Sequence, residues 1–150
     1  KECVCGPGVV QKYLNRISGP LLDRIDLHVE VVPVSVSEIS QTADGEKSTF
    51  IRERVINARK IQEQRFEGSS IHSNAQMTSK QVKEICVIST AGQTLLNRAM
   101  DKLGLSARAY DRILKVSRTV ADLAGSDDIK IEHLAEAIQY RSLDRDNWAN

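Results

Sequence analysis

The residues best suited to chemistry gather in one predicted helix. From Ala107 onward, Arg108, Arg112 and Lys115 recur at spacings of four and three. At about 100° per residue they lie opposite Tyr110, Ile113, Leu114, Ser117, Ala121 and Ala124, which form a broad apolar face. A basic face of this kind is either solvated or aimed at an anion such as phosphate. Arg108 sits in the first helical turn, where positive charge is unfavourable with the helix dipole, so an outside anion would be a sensible partner. A further arginine, Arg24, follows Leu21-Leu22-Asp23 in a short turn, with Asp23, Asp26 and Glu30 close enough in sequence to pair with it.

Other candidates are weaker. Gly45-Glu46-Lys47-Ser48 looks like part of a phosphate-binding loop, but that loop needs Lys directly after Gly and another Gly five positions earlier. Here Glu46 intervenes and position 40 is Ser40. Cys3-x-Cys5 supplies two thiolates, and two do not close a tetrahedral zinc site. His28, His72 and His133 are scattered without ligand spacing and read as structural or exposed side chains. Cys86, beside Val87 and Ile88, reads as a buried core thiol. No nucleophile stands near a base in sequence, and no acidic pair follows an apolar strand to hold Mg²⁺. The chain shows no catalytic machinery of its own.

The elements that position these residues are mostly helical. Val9, Val10, Tyr13, Leu14 and Ile17 have helical spacing, and Gly19-Pro20 ends that run. Residues Ile25 to Val31 alternate instead: Ile25, Leu27, Val29 and Val31 on one side, Asp26, His28 and Glu30 on the other. That pattern predicts a half-buried strand stopped by Pro33, an orphan because no second strand is evident to pair with it. Ser35–Ser48, rich in Ser, Asp and Gly, reads as a linker. Helices are then expected over 49–67 (Ile51, Val55, Ala58 and Ile61 inward), 79–86, 90–103, 106–124 and 132–142. Thr78 and Gln81 are spaced as a capping box, Ser106 as an N-cap, and Gly104 and Gly125 as helix stops. Residues 48–143 should fold as a four- or five-helix bundle with its own core. The first 34 residues are then expected to be disordered, folded back on the bundle, or paired with a second copy.

Composition bounds the function without choosing it. The 150 residues carry 21 Lys+Arg against 20 Asp+Glu, so net charge gives no reason to bind nucleic acid. At 41% hydrophobic and 27% charged, the chain is globular rather than disordered. No apolar run approaches the ~18 residues of a membrane span, so no membrane partner is expected. Three cysteines, an odd number, fit a reducing compartment and point to the cytoplasm. The opening Lys1-Glu2-Cys3-Val4-Cys5-Gly6-Pro7-Gly8 reads as the middle of a longer protein.

Long stretches resemble one family. Ser18-Gly19-Pro20-Leu21-Leu22-Asp23-Arg24-Ile25-Asp26-Leu27-His28-Val29-Glu30-Val31 is similar to the end of the nucleotide-binding core of magnesium-chelatase-like AAA+ ATPases. Residues 104–123 resemble that family's lid helix and residues 131–141 its last helix. Arg65-Phe66 with Gly68, and Asn74-Ala75-Gln76-Met77, also fit, and the likeness is nearest to the bacterial competence branch. The resemblance implies a mainly α fold: a helical AAA+ lid bundle preceded by a helix and one orphan β-strand from the α/β core. It divides the chain into a core end (1–34), a linker (35–48) and a lid (49–145).

The resemblance also assigns roles. Arg24 matches the arginine finger that reaches in trans into a neighbouring subunit's ATP site, with Asp23 in support. Arg108 matches the sensor-2 arginine that contacts nucleotide phosphate, and Arg112 shares its face as a candidate helper. Family members carry a Cys-Pro-Cys-Gly segment upstream, which would make Cys3 and Cys5 half of a structural Zn²⁺ site in the full-length protein. ATP and Mg²⁺ are the implied cofactors of the whole protein, with none expected on this fragment, which lacks the Walker motifs and should be inactive alone. The implied partners are further copies of itself, in a ring expected to be hexameric, and DNA, with remodelling in recombination, competence or branch migration as the task. Two other readings stand beside this one: a non-catalytic helical module that binds nucleic acid or protein, and the motor subunit of a true magnesium chelatase.

Overall fold

The computed structural model describes residues 4–34 and 45–141. Seven α-helices occur among them: α1 (Pro7–Leu14), α2 (Gly19–Leu22), α3 (Ser48–Arg65), α4 (Ser79–Ile85), α5 (Thr90–Leu103), α6 (Ala107–Leu123) and α7 (Ile131–Gln139). A 3-10 turn, Asn74–Gln76, lies between α3 and α4. The chain is mainly α, as the periodicity predicts. Cys3, most of the expected linker and everything after Arg141 lie outside the described residues.

Helix ends follow local chemistry. Thr78 and Gln81 form a reciprocal capping box at the start of α4. The Ser89 and Ser106 hydroxyls accept backbone N–H groups of Gly92 and Ala109 at 3.1 and 3.2 Å, capping α5 and α6. Gly104 adopts φ 58°, the left-handed conformation that closes α5 at little cost for a residue without Cβ.

Helix α6 is the central strut. It packs against α3, α4, α7 and the Asn74–Gln76 turn, while α5 packs on α7. Its buried Ile113, Leu114 and Ala121 join Val82, Cys86, Leu96, Leu134 and Ala137 in one core. Each fully buried Leu or Ile contributes roughly 1.5–3 kcal/mol. Ser117 is buried in the same face because its hydroxyl donates to the Ile113 carbonyl at 2.8 Å. Burial pushes the Cys86 thiol up to about 11, so at neutral pH it stays protonated and is a packing group rather than a nucleophile.

Three details differ from the sequence expectation. Ala124 is exposed, because α6 ends at Leu123 and the chain turns away at Gly125 with φ 64°. Ile51 and Val55 are each 43% exposed, whereas Ala58 and Gln62 further along the same stripe are buried. The apolar stripe of α3 therefore overhangs the bundle at its N-terminal half.

The third difference concerns the predicted strand. Residues 27–34 have no regular secondary structure, and of residues 25–31 only His28 is buried. His28 is 7% exposed, while Val29 and Val31 on the supposed inner face are 66% and 86% exposed. An orphan strand has no ladder to join, so its backbone takes whatever partners the bundle offers. Here the His28 N–H donates to the Tyr140 carbonyl at 2.8 Å, and the Arg141 guanidinium donates to the Ile25 carbonyl. Of the three expectations for the leading segment, folding back on the bundle describes residues 22–28.

Candidate functional site

The leading segment meets the bundle at Asp23. Helix α2 is a single turn anchored by buried Leu22, and Asp23 follows it as the C-cap. The Ser106 hydroxyl, while capping α6, donates to Asp23 Oδ1 at 2.7 Å. Arg108 Nη1 lies 3.5 Å from Asp23 Oδ2, and Arg141 Nη2 lies 3.9 Å from Asp23 Oδ1. A carboxylate beside the first turn of α6 also suits the positive end of that helix. The anion at the start of α6 is thus internal in this structure. The Asp23 carboxylate, expected to support Arg24, is turned to Ser106, Arg108 and Arg141.

Arg24 is exposed and makes no ion pair among the described residues. The local pairing with Asp23, Asp26 or Glu30 that its sequence neighbours suggest does not form: Asp23 is engaged by Ser106 and Arg108, and Asp26 by Arg112. Its guanidinium therefore projects from a fixed turn. Arg108 has a side chain 60% exposed, held only at the edge of hydrogen-bonding distance. Both arginines are accessible, and Arg108 contacts Asp23, the residue before Arg24, although the two lie far apart in sequence.

The rest of the basic face is committed elsewhere. Arg112 pairs with Asp26, and Lys115 Nζ donates to the Ala75 carbonyl at 3.0 Å. These two flank a cavity of about 300 Å³ between residues 26–27, α6 and α7, lined also by Leu27, Val116, Glu136 and Tyr140. The Glu136 carboxylate, bonded to the Tyr140 hydroxyl, holds that phenol above its ordinary range.

A buried ionic cluster lies toward the opposite end of α6, about 20 Å along the helix from Arg108, and its residues are not among the site residues expected from the sequence. Asp122, wholly buried, accepts from Arg65 at 2.7 and 2.5 Å, from Asn74 at 2.8 Å and from Arg118 Nε at 3.1 Å. Arg118 also donates to the carbonyls of Ser126 and Asp127 at 2.5 and 2.6 Å. The cluster ties α3, the Asn74 turn, α6 and the following loop together. Its sequence signal was the i, i+4 spacing of Arg118 and Asp122 at the edge of the apolar face.

The metal question divides by residue. Cys5 is exposed with a free thiol, and Cys3 lies outside the described residues. Among the described residues no group of three or more His, Cys, Asp or Glu could hold a metal ion. His72 is exposed, His28 packs near the Leu22 carbonyl, and His133 Nδ1 accepts the Lys130 N–H at 3.1 Å. No helix is long and apolar enough to cross a membrane among the described residues.

The structure is a helical bundle that grips a preceding arginine-bearing turn. Residues 45–141 match the family described as "Magnesium chelatase, subunit ChlI C-terminal", and residues 1–39 match "Magnesium chelatase, subunit ChlI". The chain belongs to this magnesium-chelatase-like family. It is 45% identical over 140 residues to Competence protein ComM of Haemophilus influenzae, covering 93% of this chain and 27% of that protein. It is 39% identical over 142 residues to the uncharacterized protein YifB of Escherichia coli, covering 94% of this chain and 27% of that one. The chain thus spans about a quarter of the length of the relatives it matches.

Proposed function

We propose that this chain is the arginine-finger and lid portion of an AAA+ ATPase, and that it senses nucleotide through Arg108 and completes a neighbouring subunit's ATP site with Arg24. The observation that carries this reading is the placement of Arg24: exposed, unpaired among the described residues, and next in sequence to Asp23, which Arg108 contacts. Both side chains suit phosphate. A guanidinium offers a planar fork of donors and stays charged at any physiological pH. Arg24 would stabilise the charge that develops on a transferring phosphoryl group. Arg108 would exchange the Asp23 carboxylate for nucleotide phosphate, and that exchange would move the lid against the core turn. Bound Mg²⁺ would neutralise phosphate charge, and its ligands would come from residues beyond those described here.

The whole protein would assemble as a ring, hexameric on the family pattern, and spend ATP on remodelling DNA. Similarity to a competence protein supports DNA as the substrate, and the odd cysteine count supports the cytoplasm as the compartment. Arg108→Ala in the full-length protein tests the sensing role. Loss of one charge-assisted hydrogen bond to phosphate, about 1.5–3 kcal/mol, should weaken ATP binding roughly 10- to 100-fold. Equilibrium titration with a fluorescent ATP analogue measures it, and unchanged affinity would remove Arg108 from the nucleotide site.

A binding module is the second reading, favoured by the exposure of Arg108 and the basic face of α6. The two readings part in a gel shift of this chain with duplex DNA at low salt. The lid reading expects little retention, since Arg112 and Lys115 are engaged by Asp26 and the Ala75 carbonyl. Tight retention that falls steeply with salt would favour the module.

A further inference from the structure

The side chain of Arg141 is the largest fully buried one in the bundle, at 1% exposure. It stands two residues beyond the end of α7 and reaches across 116 and 118 positions of sequence. One terminal nitrogen donates to the Ile25 carbonyl, and the other lies 3.4 Å from the Asp23 carbonyl and 3.9 Å from Asp23 Oδ1. Those two carbonyls flank Arg24. The preceding residue adds a second tie, because the Tyr140 carbonyl accepts the His28 N–H. We infer that Arg141 is a positioning residue for Arg24: its buried guanidinium grips the backbone on both sides of that arginine and sets where its side chain can reach.

The chemistry of the clamp argues for this use. Packing alone would be served by an apolar side chain, and burying a charge is costly unless it is paired and hydrogen-bonded. A guanidinium is suited to holding two carbonyls at once, having several donors in a fixed plane. Helix α7 packs on α6, which carries Arg108, so the clamp also links the Arg24 turn to the helix proposed to sense nucleotide. Movement of the lid would then carry Arg24 with it.

The inference rests on the finger reading of Arg24, and the test separates the two. ATP turnover of the full-length protein is measured for Arg141→Met, Arg141→Lys and Arg24→Ala, and for Arg24→Ala combined with each Arg141 variant. Misplacing the finger should lower kcat about tenfold or more in Arg141→Met, with KM for ATP within about twofold and assembly intact. Arg141→Lys keeps the charge but reaches only one carbonyl, so its loss should be intermediate. Added to Arg24→Ala, neither substitution should lower turnover further, because the clamp acts through the residue already removed. Wild-type kcat in both Arg141 variants while Arg24→Ala is impaired overturns the clamp alone. So does a loss of equal size in the Arg24→Ala background, which marks a purely structural role. Wild-type turnover in Arg24→Ala overturns the finger reading, and the clamp with it. If Arg141→Met does not assemble, Arg141→Lys with an unchanged melting temperature decides by the same criteria.

Discussion

Arg24→Ala in the full-length protein is expected to cut ATP turnover of assembled rings by on the order of 10³-fold, the scale at which such arginines act in phosphoryl transfer. Arg24 is exposed and unpaired among the described residues, so its removal leaves no buried group unsatisfied and costs the fold little. ATP affinity should change much less than turnover, because the arginine acts on charge that develops only in the transition state. Arg24→Lys should recover only part of the rate, since an ammonium keeps the charge and loses the planar fork. Steady-state ATPase assays at a concentration where gel filtration shows assembly make the comparison. Turnover within about twofold of wild type would exclude the finger role.

The largest effect on stability is expected at Asp122. Its carboxylate, with no solvent exposure, is shared by Arg65, Arg118 and Asn74. In Asp122→Ala two guanidiniums lose their common anion, and Arg118 is too buried for water to replace it, with a side chain 4% exposed. Breaking a buried pair from one side costs about 3–5 kcal/mol. That is a large share of the roughly 5–15 kcal/mol that holds a typical domain together. For a bundle of this size it corresponds to a drop in melting temperature of roughly 15 °C or more. Thermal melts of this chain followed by far-UV circular dichroism measure the shift. Substituting exposed Glu53 to Ala provides the comparison and should change stability by less than about 0.5 kcal/mol. A shift at Asp122 no larger than at Glu53 would show the cluster to be dispensable.

These two residues show different limits of reading the chain. Arg24 was visible only through its surroundings: the Ser18-to-Val31 stretch resembles a known turn, whereas composition and spacing alone favoured a local ion pair. The structure leaves it unpaired because Asp23 and Asp26 are taken by Arg108 and Arg112. Asp122 carried a weak local cue, the i, i+4 spacing with Arg118, which on most helices is a solvated pair. Its depth depends on Arg65, distant by 57 positions, and no local pattern reports that. The resemblance did include Arg65 and Asn74, whose task is to complete this cluster.

What the sequence by itself determined is what is encoded within about one helical turn. The capping box of Thr78 and Gln81, the Ser106 cap, the Gly104 stop and the apolar face of α6 through Ala121 were all legible, because each depends on groups three or four residues apart. The helical class followed from the same periodicity, and the buried state of Cys86 from its apolar neighbours Val87 and Ile88. Tertiary structure alone decided that His28, and neither face as a whole, turns inward among residues 25–31. Alternation fixes only that two faces exist, and the missing sheet left the choice to the Tyr140 and Arg141 contacts. It also left Ile51 and Val55 overhanging, because a stripe is buried only as far as its partners extend. Above all it joined Asp23 to Ser106, Arg108 and Arg141, a meeting of charges from distant segments that depends on how the chain packs and on no spacing within it.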